Sequence, residues 1–188
     1  MRSRYLIPLL ALSLAVNVYL FLELERMRSV SQAQPEVNEP STLPEPLFPS
    51  GVTCPFIRVV DGDTLTVGVG GDIEYVRLIG IDAPEPNDPG GPECYATEST
   101  AHLTKLLQTG TVRLFFDESQ GLRDKYSRLL AYVELPDGTD VGYAMLRNGY
   151  AREYLYATPY ARRDAYLEAE SQAVAQQAGL WDVTRCAR

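Results

Sequence analysis

Four short stretches place charged or aromatic side chains where a simple scaffold has no use for them. Asp61-Gly62-Asp63-Thr64 lies between two apolar runs, and Arg77 sits inside Val76-Arg77-Leu78-Ile79, followed by Asp82-Ala83-Pro84-Glu85. Asp124-Lys125-Tyr126-Ser127-Arg128 leads into an apolar run, and Tyr154-Leu155-Tyr156 with Tyr160 gathers tyrosines. Each has a plain reading of its own: a D-G hairpin turn, a charge on the solvent face of a strand, a solvated loop, a packed aromatic surface. Together they form a chemical kit. Asp63 and Asp82 are hard oxygen donors suited to Ca²⁺, which also accepts a backbone carbonyl, such as that of Ala83, and several waters. Arg77 and Arg128 can each present a planar fork to a phosphate. Glu85 is a carboxylate able to orient or deprotonate a water. A cation, two Arg and one carboxylate suffice to attack a phosphodiester, because charge building on phosphorus is what fixed positive groups stabilise best. The tyrosines can stack on bases.

Composition narrows the field around that kit. The chain has 188 residues, 17 Lys and Arg against 25 Asp and Glu, a net charge of −8, 45% hydrophobic residues, three Cys and one His. That fits one globular domain with extensions and excludes repeat arrays and collagen-like chains. One His and no C-x-x-C exclude a His-rich zinc site and a thioredoxin-type dithiol. The acidic excess argues against coating nucleic acid through bulk positive charge, while leaving room for a local basic site. His102 reads as a solvated residue on a helix surface.

Residues Tyr5 to Leu22 form an 18-residue run broken only by Ser13 and Asn17, with Arg2 and Arg4 before it. A helix of that length covers about 27 Å, close to a hydrocarbon core. The positive flank keeps the N-terminus in the cytoplasm and sends the rest outward. An uncleaved anchor is the leading expectation and a cleaved signal peptide its rival. Residues 29–51 are rich in Pro and Glu and read as a semi-extended linker. The expected organisation is therefore a signal-anchor or signal peptide over 1–28, a linker over 29–51 and a folded domain over 52–188. Outside the cytoplasm, one disulfide and one free thiol are expected among Cys54, Cys94 and Cys186. Pairing Cys54 with Cys186 would close the domain's ends, but sequence does not choose among the three pairings.

The elements that must position the kit are short. Strands are predicted over Phe56–Val60, Leu65–Val69, Ile73–Ile79, Val112–Phe116 and Leu129–Leu135. The turns Asp61-Gly62-Asp63 and Gly68 to Asp72 are rich in residues that accept positive φ. Helices are predicted over Tyr95–Leu107, Val141–Asn148 and Tyr160–Ala178, the last with Tyr166, Leu167, Val174 and Trp181 as docking bulk. The order βββαββαα, without regular βαβ alternation, favours an α+β fold: a small closed barrel with helices against it.

The strings Val60-Asp61-Gly62-Asp63-Thr64, Arg77 to Glu85, Asp124 to Val133 and Gly179-Leu180-Trp181 resemble the staphylococcal nuclease (thermonuclease) family, in order and spacing, over about Cys54 to Trp181. The resemblance implies a five-stranded OB-type β-barrel with three helices. It places Arg77, Glu85 and Arg128 at catalytic positions, and Asp63, Asp82 and the Ala83 carbonyl at Ca²⁺. It places Lys125, Tyr126, Tyr154 and Tyr156 against the nucleotide, with Asp61 near the metal. Ala83 stands where the family more often has Thr, and Ser127 where it usually has Gly. The implied activity is Ca²⁺-dependent hydrolysis of DNA or RNA to 3′-phosphate ends by a monomer. The N-terminal run, which lies outside the resemblance, would tether it at the cell membrane with the nuclease domain extracytoplasmic, or leave it secreted if that segment is cleaved. The alternative is a non-catalytic OB-type module binding nucleic acid or protein at the cell envelope.

Overall fold

Alternation decides how the first strands face. In β1 (Val52–Val59), β2 (Thr64–Val69) and β3 (Asp72–Leu78), Leu65, Val67, Val76 and Leu78 point inward and are almost fully buried, while Ile73, Tyr75 and Arg77 share the outer face of β3. The structure, a computed structural model, describes residues 51–186. The expected anchor and nearly all of the linker lie outside the described residues. No helix among the described residues is long and apolar enough to cross a membrane.

A two-residue strand β4 (Ile81–Asp82) follows, then helix α1 (Ala96–Leu106), β5 (Thr111–Phe115) and β6 (Leu129–Glu134). Helix α2 (Val141–Arg147), the short strand β7 (Arg152–Glu153), helix α3 (Arg163–Ala175) and a 3₁₀ turn over Gly179–Trp181 complete the order. Five strands close into a barrel in the order β1-β2-β3-β6-β5, while β4 pairs with β7 beside it. Closure leaves none of the five with an open edge. The β3–β6 contact is parallel, with Arg77 opposite Leu130, and the other barrel contacts are antiparallel. The barrel is filled by Leu65, Val67, Val76, Val112, Leu114, Leu129, Ala131 and Val133, each wholly buried. Full burial of one Leu is worth about 2 kcal/mol.

Several expectations are corrected. Helix α3 is shorter than predicted at both ends, and Leu167 and Val174 are 37% and 45% exposed. The docked face is Tyr166, Ala169 and Ala173, because two small residues let the helix approach while Tyr166 fills the space. The Tyr166 hydroxyl donates to Asp140, the residue whose side chain caps α2 by accepting from the Tyr143 amide. His102 is not solvated: its ring lies 3.8 Å from that of Tyr150, nearly parallel to it. The glycine of Asp61-Gly62-Asp63 does not supply positive φ, unlike Gly70 and Gly71 at the next turn. A Cβ on Gly62 would instead lie 2.5 Å from that of Ala83 and 2.9 Å from that of Ser99, so this glycine permits close approach.

The disulfide joins Cys94 to Cys186, with Cα atoms 5.8 Å apart. Cys54 is free and buried on β1 opposite Val112, and burial pushes its thiol up to about 11.

Candidate active site

Arg77 is the centre of the cluster. It leaves the outer face of β3 where the strand pairs with Thr64 of β2 and Leu130 of β6. Its Nε donates to Asp63 Oδ1 at 3.0 Å, one terminal nitrogen donates to Asp82 Oδ1 at 3.0 Å, and the other donates to the carbonyls of Leu78 and Ile81 at 3.0 and 2.7 Å. One guanidinium thus holds together two carboxylates that are 19 residues apart in the chain. These bonds occupy four of its five N–H groups.

Asp63 is 2% exposed. Thr64 Oγ1 donates to its Oδ1 at 3.0 Å, and the Ala83 amide donates to its Oδ2 at 2.9 Å. Burial, and secondarily the neighbouring Asp61, push its carboxyl up to about 7 even though Arg77 acts in the opposite sense. Asp82 is half exposed beside it. Glu85 is exposed on the loop after β4. Its proton affinity is raised, first by partial burial and then by Asp61, and further by Asp82 and Glu93, with Arg77 opposing. Asp61, Asp63, Asp82 and Glu85 therefore crowd around Arg77 with more negative than positive charge. No set of three or more His, Cys, Asp or Glu side chains among the described residues is arranged to hold a metal ion. The predicted ligand set has only two side chains and one carbonyl, and its donors are all hard oxygens of the kind Ca²⁺ takes.

Arg128 enters from the first residue before β6. Its Nε and one terminal nitrogen grip Asp124 Oδ2 at 2.7 Å, and the other terminal nitrogen reaches Thr64 Oγ1 at 3.4 Å. That leaves one N–H on each terminal nitrogen, the pair that can face a phosphate end-on. Thr64 joins the two halves of the site, since its hydroxyl touches both Asp63 and Arg128. Asp124 also accepts from the backbone amides of Tyr126 and Arg128, fixing the loop on which Lys125 and Tyr126 stand. Neither Thr64 nor Asp124 was singled out in the sequence as a site residue; their only signal was their place inside the two motifs. Ser127 takes φ +66° in this loop, the conformation that glycine adopts without strain.

The remaining expected residues share one concavity of about 390 Å³, whose walls include Arg77, Asp82, Lys125, Tyr126, Arg128, Tyr154 and Tyr156. Tyr126 and Tyr156 are 68% and 74% exposed, an unusual state for such large rings. The ammonium of Lys125 lies 5.0 Å from the Tyr126 ring centre, and the Tyr154 and Tyr156 rings lie 6.4 Å apart. Asp63, Ala83 and Glu85 are not on this wall; Asp63 and Ala83 are buried, and Glu85 is exposed on its loop. The structure thus brings Asp63, Asp82, Ala83 and Arg77 into direct contact, links Arg128 to them through Thr64, and places the Lys and Tyr residues around the same hollow.

Residues 75–183 match the family described as staphylococcal nuclease homologue. The chain is 36% identical over 128 residues to the thermonuclease of Staphylococcus intermedius, an alignment covering 66% of this chain and 73% of that protein. It is 30% identical over 146 residues to the uncharacterized protein MJ1439 of Methanocaldococcus jannaschii, covering 67% of this chain and 70% of that one. With the SPbeta prophage-derived endonuclease YokF of Bacillus subtilis it shares 35% identity over 126 residues, 66% of this chain but only 42% of that endonuclease's length. A barrel of five strands with three helices, a matched span that contains both Arg and Glu85, and two relatives covered over 70% or more of their length all agree: this chain belongs to the staphylococcal nuclease family.

Proposed function

We propose that the protein is a nuclease that hydrolyses phosphodiester bonds of DNA, RNA or both, that it depends on Ca²⁺, and that it leaves 3′-phosphate ends. The observation that carries this reading is the contact of Arg77 with both Asp63 and Asp82 beside a second guanidinium, Arg128, which keeps its end-on fork for a ligand. The names thermonuclease and endonuclease borne by its relatives point the same way.

Glu85 draws a proton from a water aligned with the scissile bond; its raised proton affinity makes it a better base than an ordinary carboxylate. Arg128 accepts a phosphate oxygen on its two unassigned N–H groups while Asp124 holds the rest of the guanidinium still. Arg77 keeps Asp63 and the Leu78 and Ile81 carbonyls, and can offer a second N–H to phosphate by exchanging its Asp82 contact. Asp63, Asp82 and the Ala83 carbonyl would hold the Ca²⁺. Bound there, the ion would polarise the phosphoryl group as a Lewis acid. Lys125 meets the phosphate backbone, and Tyr126, Tyr154 and Tyr156 stack on bases. The protein acts as a monomer outside the cytoplasm, held at the membrane by its N-terminal segment or released by cleavage of that segment.

The test is cleavage of single-stranded DNA and RNA with Ca²⁺, with a chelator, and with a Glu85→Gln variant alongside. Cleavage should need the metal and fall by orders of magnitude in the variant. Metal-independent cutting would discard the dependence on Ca²⁺, and no cutting from a folded sample would discard the nuclease reading in favour of a binding-only module.

A further inference from the structure

Glu85 leaves a buried stretch, Ala83 and Pro84, and enters a loop in which every residue from Asn87 to Cys94 is exposed. Packing therefore does little to fix it. Two hydrogen bonds pinch the loop instead. The Glu85 amide donates to Glu93 Oε2 at 2.8 Å, and the Glu93 amide donates back to the Glu85 carbonyl at 2.9 Å. Two carboxylates brought onto one neck repel each other, so something must hold Glu93 in place.

The covalent chain supplies it. Cys94 is bonded to Cys186, which sits in a turn where the Arg185 and Cys186 amides both donate to the Asp182 carbonyl. That turn follows the 3₁₀ segment, whose Leu180 is buried and donates its amide to the Gly149 carbonyl. Three residues after Glu93, the Ala96 amide at the buried start of α1 donates to the Glu93 carbonyl. Glu93 is thus anchored through the chain that follows it, by the disulfide and by the start of α1, and Glu85 through Glu93 and its own chain neighbours.

We propose that Glu93, pinned by the Cys94–Cys186 disulfide, is a positioning residue that sets where the backbone of Glu85, and hence its carboxylate, stands. This deepens the nuclease reading and rests on it for the role of Glu85. The geometric part is measured independently of activity.

Amide hydrogen exchange on the full chain would be compared in four forms: native, treated with dithiothreitol, Glu93→Ala and Glu93→Gln. Dithiothreitol converts the disulfide to two thiols and is itself oxidised to its cyclic disulfide. In Glu93→Ala the Glu85 amide should exchange faster on the order of tenfold, as expected for loss of one hydrogen bond, while β2 and β3 amides keep their protection. Glu93→Gln, which keeps the acceptor oxygen, should restore the native rate. Reduction should speed exchange from Glu85 to Cys94 in the same way. Turnover of single-stranded DNA should fall in parallel in Glu93→Ala and in the reduced protein, with KM within about twofold and with rescue by Gln. An unchanged Glu85 amide in Glu93→Ala, or faster exchange spread equally over the barrel in that variant, would overturn the proposal. A parent protein that cuts no nucleic acid would overturn the role of Glu85 instead, and the exchange data would still decide whether Glu93 holds the loop.

Discussion

Arg77 and Arg128 are held in different ways, and the difference governs what each substitution should do. Arg128 grips Asp124 side-on and keeps its end-on fork, so Arg128→Lys loses both contacts at once. Turnover should fall on the order of a hundredfold with little change in melting temperature; single-turnover cleavage rates would check it, and near-native turnover would remove Arg128 from catalysis. Asp124→Asn keeps the shape but not the charge, and should cost turnover on the order of tenfold because the guanidinium is less firmly aimed. Ser127 carries backbone strain for which a glycine has no need, so Ser127→Gly should stabilise the protein by up to about 1 kcal/mol in urea titration. Asp124 and Asp117 also set an acid limit. Burial alone would raise both, but it is outweighed, for Asp124 by the Arg128 guanidinium and then the Arg128 and Tyr126 amides, for Asp117 by the Ala161 amide and then the Tyr132 hydroxyl, and both are held below the ordinary Asp range. A folded-state value below the unfolded one means that their stabilisation is complete above about pH 4 and drains away as pH falls through the lower folded values. Asp117→Asn should flatten the acid limb of a stability-against-pH curve.

At the scale of elements, the barrel strands were legible because Leu65, Val67, Val76, Leu129 and Ala131 alternate with outward residues, and period two needs no tertiary information. The pairing of β3 with β6 was not, since nothing local in Val76-Arg77-Leu78 specifies a parallel partner some fifty residues later. The docked face of α3 was half legible: Tyr166 is buried as expected, but Leu167 and Val174 are not, because size was taken for burial, whereas Ala169 and Ala173 are buried because they are small. The candidate site was legible through its charged motifs, but Thr64 and Asp124 act by touching other side chains and so left little trace in sequence. The least forgiving junction joins the end of α2 to the 3₁₀ turn. A Cβ on Gly149, at φ +71°, would lie 2.1 Å from the Ala178 carbonyl oxygen, and one on Gly179 would lie equally close to the Gly149 oxygen. Gly149→Ala should therefore cost roughly 3 kcal/mol or more, read as a lower urea midpoint, while Gly138→Ala, with open space around it, serves as the control for positive φ alone.

For the molecule as a whole, a net charge of −8 means that any grip on nucleic acid comes from a few local cations and not from a general field. If Arg77, Lys125 and Arg128 neutralise three phosphates, the logarithm of affinity for single strands should fall with the logarithm of salt at a slope of about −2. Fluorescence titration in Ca²⁺ with Glu85→Gln would measure it, and a slope several times steeper would mean a basic surface elsewhere. Closing a loop of 92 residues, the Cys94–Cys186 bond is expected to contribute about 4 kcal/mol, an amount that reduction followed by thermal unfolding would expose.

The parallel seam between β3 and β6 has one more effect, which concerns time. Arg77 and Arg128 meet only after the intervening helix and strand have been made and folded back, since a parallel neighbour cannot arrive by a simple hairpin. A chain emerging from the ribosome therefore carries its carboxylates and first guanidinium well before the second, and the two halves of the site come together only when most of the polypeptide has been synthesised.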